Sequence, residues 1–540
     1  MIKCPYCMTD NPESESFCGE CGRPLSSAGS SAQLQASEPL DSANVTSSIQ
    51  IPQYENLDEF IIQPKAQIYS NYKFNLIYED EFAKTLDMLS CDEAFTNDQI
   101  IQLIRRIAGI FAHINQAGFV VGSCNLSDFA IDDDYSLMKL IIRRPLLTPK
   151  SNAYEYECAE IYAPEVKNQD YDSVSQKSDV YLLAIIANKL LLKAKYGDLS
   201  LDMQLKMSYY QGLINDDKQI LFLHYWFGSS LSMYPSKRYK CIEDSISSFD
   251  EYLKYASVGP DVATVVKSAK KTSIGSGKKL LMQEMQRDKG EWNEDALELV
   301  EKDNGLCAYL LADGISNCDV GSGYKASSIV KEVFIEYIST FDVGQGDAFS
   351  SISKVFLDIV QESNKRIAEE ARRISDNLHG VMGSTIILLI IYQGNLYYYS
   401  LGDSILYLIR NNTITSLLIP DNVITDALIS NTGNDLSNRS EALTQYVGGK
   451  YAIEGGPYNK KVECLPFVEG DCLLLASDGV IDYMANNLHD SLWDKEQILL
   501  RKIIKHNEDL KHTAELILRQ GNANGGGDNM SLILIKGEKQ

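Results

Sequence analysis

The sequence is poor in positive charge. Its 540 residues include 50 Lys and Arg against 74 Asp and Glu, so the formal net charge is −24. A protein that binds nucleic acid needs a basic face to neutralise phosphates. The composition therefore argues against a nucleic-acid partner. An acidic excess of this kind favours solubility and repels anions.

Long apolar runs are also missing. Uncharged apolar runs such as Ile386–Tyr392 are too short to span a bilayer. The amino terminus has no signal-peptide pattern, because Cys4 and Cys7 follow the first Met almost at once. Eight of the twelve Cys residues stand singly, without a paired spacing. Single Cys residues of this kind are expected in a protein from a reducing compartment. We expect a soluble, cytoplasmic protein without a membrane partner.

Four of the twelve Cys residues form two CxxC knuckles: Cys4, Cys7, Cys18 and Cys21. Each knuckle directs two thiolates at one point, and two knuckles complete a tetrahedral zinc site. A segment this short has no core, so the metal must supply its folding energy. Redox or disulfide chemistry would call for a βαβ pattern around the motif. The segment resembles the zinc ribbon at the start of many prokaryotic proteins, which implies one structural Zn²⁺ within residues 1–25.

Composition divides the remaining chain into four parts. Residues 26–53 are rich in Ser, Ala and Gln and predict a flexible linker. Residues 54–256 show mixed helix and strand patterns, and the Gly-, Ser- and Lys-rich residues 257–278 predict a second linker. The last part, residues 279–540, carries most of the acidic motifs discussed below.

Two patterns in the last part predict its architecture. The apolar runs Thr385–Tyr392 and Asn395–Leu401, joined by Gln393 and Gly394, predict a β-hairpin. The apolar spacing within Phe349–Arg373 predicts a long helix. Strands separated by long helices indicate sheets enclosed between helical layers.

Residues 54–256 resemble the protein kinase fold, mainly its helical lobe. Ala163-Pro164-Glu165 looks like the Ala-Pro-Glu motif, and Asp179 lies where a kinase begins the helix that anchors its catalytic loop. Arg238 looks like the Arg that pairs with the Glu of that motif, here Glu165. The resemblance implies an α+β kinase-like domain.

The residues that transfer phosphate in kinases are absent from this part. Ser123 takes the place of the catalytic Asp, and Asp128 takes the place of the metal-binding Asn. Ile142-Arg143-Arg144 stands where Asp-Phe-Gly would hold Mg²⁺. The chain upstream is too short for a Gly-rich loop and a strand Lys. The resemblance therefore implies a pseudokinase that serves as a binding or regulatory module.

Acidic residues flank strand-like apolar runs repeatedly after residue 290. Three follow such runs and a fourth precedes one: Asp313, Asp403, Asp478 and Asp528. Carboxylates at strand ends can converge on one edge of a sheet. All-oxygen clusters suit hard divalent ions such as Mg²⁺ or Mn²⁺. Two such ions that share a carboxylate suit the hydrolysis of phosphate esters.

With these motifs in order, residues 280–540 resemble the protein phosphatase 2C family, the metal-dependent PPM type. The landmarks are Asn293-Glu294-Asp295, Asp313-Gly314, Gly383-Ser384-Thr385, Gly402-Asp403-Ser404, Ser477-Asp478-Gly479 and Gly527-Asp528-Asn529. The resemblance implies an α/β/β/α sandwich and a serine/threonine phosphatase. In this family a hydroxide that bridges two Mg²⁺ or Mn²⁺ ions attacks phosphorus without a covalent enzyme intermediate.

The resemblance also implies a role for each residue. Asp313 bridges the two ions, the carbonyl of Gly314 binds the second, and Asp478 and Asp528 complete the first. Residues behind the ligands orient metal-bound water or hydrogen-bond the ligands: Glu294, Asp295 and Asn529. Two further carboxylates match positions that hold a third metal ion in some members: Asp403 and Asp482.

The sequence departs from the family at two positions. Many members carry a phosphate-gripping Arg where this chain has Gly290, and Arg287 and Lys289 are the candidates to replace it. The frequent His after Asp-Gly is Ile315 here, so no His protonates the leaving group from that position.

Three hypotheses follow. The first is an active phosphatase, localised or regulated by the zinc ribbon and the pseudokinase, with a phosphoprotein substrate and a cognate protein kinase as partners. The second is an inactive pseudokinase–pseudophosphatase scaffold that binds phosphoproteins, which the missing Arg would explain. The third, a dual kinase and phosphatase, conflicts with the lost kinase residues. We favour the first.

Overall fold

The computed structural model describes most of the chain from residue 50 onwards. The described ranges are 50–70, 73–78, 84–90, 95–132, 137–149, 158–192, 207–257, 262–430, 442–456, 458–486 and 491–539, with short backbone strands at 2–3, 10–11 and 45–47. Residues 50–257 are called the middle unit below, and residues 262–539 the C-terminal unit. The predicted zinc ligands Cys4, Cys7, Cys18 and Cys21 lie outside the described residues.

Two five-stranded antiparallel sheets form the centre of the C-terminal unit. The strands of the first sheet, in spatial order, are Val265–Ser273, Met530–Glu538, Cys472–Ala476, Ile405–Arg410 and Thr413–Ser416. Those of the second are Asp295–Glu301, Cys307–Asp313, Ile386–Tyr392, Asn395–Leu401 and Glu463–Pro466. Both sheets are buried on two faces, which explains why the central strands are apolar almost throughout.

The two sheets pack face to face between helices. Leu311, Leu389 and Tyr398 of the second sheet share a buried cluster with Leu475 and Ile533 of the first. The outer face of the second sheet packs on Gly323–Thr340 and Ala348–Ile374, and that of the first on Leu492–His506 and Leu510–Ala523. This order of layers confirms the predicted α/β/β/α sandwich.

The predicted hairpin and long helix are both present. Strands Ile386–Tyr392 and Asn395–Leu401 pair in register across Gln393 and Gly394. Both turn residues have positive φ, 49° and 72°, as a tight two-residue hairpin turn requires. The helix predicted within Phe349–Arg373 runs over Ala348–Ile374, and the Asp347 side chain accepts a hydrogen bond from the Ser350 N–H at its start.

The prediction that residues 257–278 form a second linker is wrong. Val265–Ser273 is an edge strand that pairs with Met530–Glu538 along nine residues, and Ser276–Glu284 is a helix. Lys267, Lys270 and Lys271 are exposed on this edge strand. Lysines protect a sheet edge from pairing with other chains, and they give the segment a linker-like composition. The first predicted linker, residues 26–53, also contains structure, because Val45–Ser47 pairs with Lys73–Ile77 and Ile51 is buried.

The middle unit consists of helices and short sheets. Its four-stranded sheet has the order Ile61–Ile62, Met138–Ile141, Phe129–Ile131 and Lys84–Thr85. A three-stranded sheet contains Val45–Ser47, Lys73–Ile77 and Ala66–Ser70, and a two-stranded one pairs Ser123–Cys124 with Ile161–Tyr162. The α-helices among the described residues of this unit are Leu86–Ser90, Asn97–Gln116, Pro164–Lys167, Gln176–Leu192, Gln211–Ile214, Lys218–Leu221, His224–Ser230 and Ile242–Leu253.

Buried charges in the middle unit form the pairs that the kinase resemblance predicts. Asp179, at the start of Gln176–Leu192, accepts hydrogen bonds from the N–H groups of Val121 and Gly122 at 3.0 and 2.8 Å. Burial raises the pKa of Asp179 to about 6, although these hydrogen bonds oppose the shift. The buried guanidinium of Arg238 donates to both carboxylate oxygens of Glu165, at 2.7 and 3.0 Å. The predicted Glu165–Arg238 pair is therefore confirmed.

The remaining helices of the C-terminal unit are short. They are Val423–Ser430, Gly449–Glu454 and Asp478–Asp482, and short strands Gly383–Ser384 and Val447–Gly448 pair beside them. Among the described residues, every helix is too short or too polar to cross a lipid bilayer.

Candidate active site

Acidic side chains from both sheets meet at one end of the sandwich. Asp313 ends the strand Cys307–Asp313 and lies opposite Asp295 in the antiparallel register. Asp478 follows the strand Cys472–Ala476 and begins the helix Asp478–Asp482. Asp528 lies just before the strand Met530–Glu538, which pairs with Cys472–Ala476. The charge of Asp403, which follows the strand Asn395–Leu401, also acts on Asp313. The strand-end residues Asp313, Asp403, Asp478 and Asp528 of the sequence motifs therefore lie near one another.

These carboxylates perturb one another. Burial raises the pKa of Asp313 well above its usual range, and the charges of Asp295, Asp478 and Asp528 raise it further. Burial and then Asp403, Asp528 and Asp482 do the same for the pKa of Asp478. The pKa of Asp295 rises to about 6 because of burial, which hydrogen bonds from neighbours including Ser477 oppose. A buried cluster of like charges favours protonation or cation binding.

Backbone contacts fix Asp313 in place. Its N–H donates to the Thr385 hydroxyl at 3.0 Å, and its carbonyl accepts from the Thr385 N–H at 2.8 Å and the Ser384 hydroxyl at 3.0 Å. The Gly383-Ser384-Thr385 landmark therefore holds the end of the strand that carries Asp313. A Cβ on Gly314 would overlap the Gly323 carbonyl, so only glycine fits where the chain turns back beside Asp313.

Asn529 joins two of the sequence landmarks. Its side-chain carbonyl accepts from the Glu294 N–H at 3.0 Å, and its amide donates to the Trp292 carbonyl at 3.0 Å. Ser477 donates its hydroxyl hydrogen to Asp295 Oδ2 at 3.1 Å. These bonds tie the Asn-Glu-Asp segment to the loop that carries Asp528. Ser477 belongs to the Ser477-Asp478-Gly479 landmark, but the sequence predicts no role for its hydroxyl group.

Lys278 contacts the acidic site, and the sequence analysis did not identify it. Its side chain is 5% exposed, and its Nζ lies 2.9 Å from Asp528 Oδ1 and 3.1 Å from Glu294 Oε2. It also donates to the Ser316 hydroxyl at 2.9 Å. Burial lowers the pKa of Lys278, but Asp528 and Glu294 outweigh burial and leave the pKa raised. The sequence analysis assigned no role to Lys278 because this residue lies in the segment 257–278, which is predicted to be a linker.

The two predicted phosphate-binding residues lie outside these contacts. Arg287 and Lys289 are exposed. The Lys289 ammonium lies 5.9 Å from the centroid of the Trp292 ring, and the Arg287 carbonyl accepts the Trp292 indole N–H. Asp482 is 58% exposed, with Lys495 Nζ 3.7 Å from its Oδ1.

The donor set fits divalent metal ions. Asp295 Oδ1 and Asp478 Oδ1 are buried and have no hydrogen-bond partner. Buried carboxylate oxygens of this kind are costly unless a cation compensates them. Among the described residues no three acidic, His or Cys side chains already form a complete ligand set. Small side-chain movements within the cluster would therefore accompany binding. Mg²⁺ and Mn²⁺ are the ions that an all-oxygen set suits.

The comparison with known families decides the class of this site. Residues 282–516 match the family model described as protein phosphatase 2C. This segment is a protein phosphatase 2C-type catalytic domain. Because it contains this domain, the chain is an enzyme of the protein phosphatase class.

Bacterial relatives match the same phosphatase domain. The chain is 24% identical over 257 residues to the serine/threonine phosphatase stp of Listeria welshimeri, a match covering 45% of this chain and 90% of the relative. It is 24% identical over 250 residues to the protein phosphatase PhpP of Streptococcus pneumoniae, covering 45% and 91%. A solved PstP catalytic domain in complex with two manganese ions is 18% identical, with a TM-score of 0.37, and covers 51% of this chain and 99% of that one.

Asp128, Arg143 and Arg144 form an ion-pair cluster in the middle unit. Asp128 is buried, and Arg143 Nε and Arg144 Nη1 lie 3.0 and 2.9 Å from its two carboxylate oxygens. Burial raises the pKa of Asp128, and Arg144 and Arg143 oppose the shift. Two guanidinium groups therefore compensate the buried carboxylate of Asp128.

Lys278 is expected to stabilise the phosphatase domain without metal. Replacing Lys278 by Met leaves Glu294 and Asp528 uncompensated and should lower the free energy of unfolding by about 1–3 kcal/mol, a range discounted because Asp528 is partly exposed. Saturating Mn²⁺ should recover part of this loss, because it neutralises the same carboxylates. Urea unfolding with and without Mn²⁺ measures both effects. The matched variant Lys279→Met removes an exposed neighbouring charge, and equal losses for the two variants would contradict the assignment.

Proposed function

We propose that the chain is an active Mg²⁺- or Mn²⁺-dependent protein serine/threonine phosphatase. The observation that carries the proposal is the buried acidic cluster around Asp313, with orphaned oxygens on Asp295 and Asp478. The serine/threonine specificity is carried over from the names of the bacterial relatives. Two bound ions would supply an activated water and neutralise the phosphoryl oxygens during hydrolysis.

The chain's own residues would hold the ions in a fixed arrangement. Asp313, positioned by Thr385 and Ser384, is proposed as the shared ligand, together with the carbonyl of Gly314. Asp478 and Asp528 are proposed to complete the set, and Asp403 and Asp482 to hold a third ion. Three residues would orient bound water or the ligands: Glu294, Asp295 and Asn529.

Cationic side chains are proposed to act both at the rim of the acidic site and inside it. Arg287 and Lys289 are exposed on the segment before Trp292, where they are proposed to bind the phosphoryl group at the rim. Lys278 lies inside the cluster and neutralises Asp528 and Glu294. Ile315 offers no proton, so we propose that solvent protonates the leaving group.

The other parts of the chain are proposed to regulate or localise the phosphatase. Cys4, Cys7, Cys18 and Cys21 would hold one structural Zn²⁺. The middle unit would be a pseudokinase, a proposal supported by the Glu165–Arg238 pair and by the ion pairs that occupy Asp128. A phosphoprotein is the proposed substrate, with a cognate protein kinase as partner. The alternative, an inactive scaffold, is motivated by Gly290 and Ile315, which replace two groups common in the family.

A substrate and cation panel tests the proposal. Full-length protein should release phosphate from phosphothreonine and phosphoserine peptides in the presence of Mn²⁺ or Mg²⁺, and it should lose this activity in excess chelator. Asp478→Asn should reduce the rate at every metal concentration, because it removes one carboxylate charge from the set. A folded protein that stays inactive with all of these peptides, across the whole metal titration, would favour the scaffold.

A further inference from the structure

The helix Leu492–His506, called the interface helix below, lies between the phosphatase domain and the middle unit. Trp493 and Glu496 on this helix are 4% and 0% exposed. A Trp and a Glu on an outer helix of the sandwich would be exposed if nothing covered them. Residues of the middle unit, His224, Tyr225 and Gly228, contact these two side chains, so the helix has a partner on each side.

Trp493 is seated on the middle-unit helix His224–Ser230. Its ring makes an edge-to-face contact with Tyr225, with centroids 4.9 Å apart and planes at 74°. A Cβ placed on Gly228 would overlap three atoms of the indole ring. The indole therefore lies against the bare backbone at Gly228, and the contact leaves no room for a larger side chain.

Polar contacts fix the same face of the interface helix. His224 Nδ1 donates to the Tyr209 carbonyl at 2.9 Å, and its Nε2 lies within hydrogen-bond distance of Glu496 Oε2, at 3.0 Å. Both side chains are almost fully buried, at 1% and 0% exposure. At the rim, Lys237 Nζ lies 2.6 Å from Asp494 Oδ1. Directional contacts of this kind set the position of a helix as well as its stability.

The interface helix in turn contacts the helix that carries Asp478. Val480, Ile481 and Met484, in and just after the helix Asp478–Asp482, belong to the same hydrophobic cluster as Trp493. Tyr225 of the middle unit packs against that cluster. A continuous set of packed side chains therefore runs from the middle unit to the acidic site.

We propose that the middle unit positions the catalytic metal site through the interface helix, so that displacement of the middle unit weakens metal binding at Asp478. Gly228, Tyr225 and His224 act as positioning residues, since they reach the site through Trp493 and Glu496. The proposal rests on the proposed function in one respect, the role of Asp478 as a metal ligand. It gives the kinase-like fold a physical role, because a ligand or partner that shifts this fold would change the metal affinity of the phosphatase.

Gly228→Ala in the full-length chain tests the proposal. Ala favours a helix more than Gly does, so the change should harm the protein only through Trp493. We expect faster amide hydrogen exchange at residues 478–482 in metal-free protein and a Mn²⁺ dissociation constant raised roughly five- to tenfold, the usual size of coupling between linked elements. Calorimetry gives the dissociation constant. Gly109→Ala is the matched control, because it lies within helix Asn97–Gln116 and its Cβ would meet nothing within 4 Å.

A second variant and a rescue separate positioning from general damage. His224→Gln weakens the contact with Glu496 on the same face of the interface helix and introduces no clash. It should shift amide exchange and Mn²⁺ affinity in the same direction as Gly228→Ala. Trp493→Leu combined with Gly228→Ala makes room for the added methyl group, so the two changes should be less than additive. The proposal is overturned if Gly228→Ala and His224→Gln both leave amide exchange and Mn²⁺ affinity as they are in Gly109→Ala. Amide exchange needs no metal, so it can support positioning even if the phosphatase activity itself is disproved.

Discussion

Asp313→Asn is expected to reduce phosphate release by more than about a hundredfold, since loss of residues that merely support metal ligands already costs roughly ten- to a hundredfold. The reason is the position of Asp313 in the acidic cluster, where the charges of Asp295, Asp478 and Asp528 all raise its pKa. Initial rates on a phosphothreonine peptide at saturating Mn²⁺ measure the effect.

A matched control exists on the same hairpin. Asp303 is exposed in the turn that precedes strand Cys307–Asp313, at the end away from Asp313. Asp303→Asn makes the same change in charge and should leave the rate within about twofold, as expected for a surface substitution. Activity retained in Asp313→Asn at the level of Asp303→Asn would remove the acidic cluster from the mechanism.

Arg238→Ala should destabilise the chain more than other charge removals in the middle unit. Arg238 donates to both Glu165 oxygens and to the carbonyls of Ser232 and Lys177, at 2.8 and 3.1 Å. Its side chain is 0% exposed, so its loss leaves Glu165 buried and unpaired. We expect a loss of about 3–5 kcal/mol in the free energy of unfolding, typical of a broken buried pair. Urea unfolding followed by tryptophan fluorescence measures it.

The control for this variant is an exposed ion pair of the same unit. Arg105 Nη2 lies 2.7 Å from Asp250 Oδ1, but the two side chains are 36% and 39% exposed. Solvent screens such a pair, so Arg105→Ala should cost no more than about 1 kcal/mol. If Arg238→Ala were no more costly than Arg105→Ala, the buried pair would not be the element that holds this part of the middle unit together.

The parts of the fold that the sequence predicts are those with strong local signals. Strands such as Cys472–Ala476 are apolar throughout because both sheet faces are buried, and the turn at Gln393-Gly394 needs positive φ at two residues. The acidic motifs predict their own convergence because each lies at a strand end. The edge strand Val265–Ser273 escaped detection because exposed lysines dominate its composition, and its stability comes from pairing with the last strand of the chain.

The candidate site likewise contains residues that the sequence predicts and residues that it does not. Carboxylates at strand ends could be found from their motifs, whereas Lys278 could not, because its role depends on a contact with Asp528 across 250 positions of sequence. The contact between Trp493 and Gly228 could not be predicted either, since nothing in either local sequence indicates that a ring lies against a glycine of another unit. Contacts between distant segments of chain are the information that periodicity and spacing do not contain.

The most direct test of the central claim measures metal occupancy and turnover on one sample of the full-length chain. Mn²⁺ is titrated into metal-free protein, bound metal is measured by calorimetry, and phosphate release from a phosphothreonine peptide is followed at each step. The account predicts that turnover rises with occupancy of the acidic site and that Asp478→Asn shifts both curves to higher Mn²⁺. Full occupancy of that site without any phosphate release would contradict it and identify the protein as a scaffold.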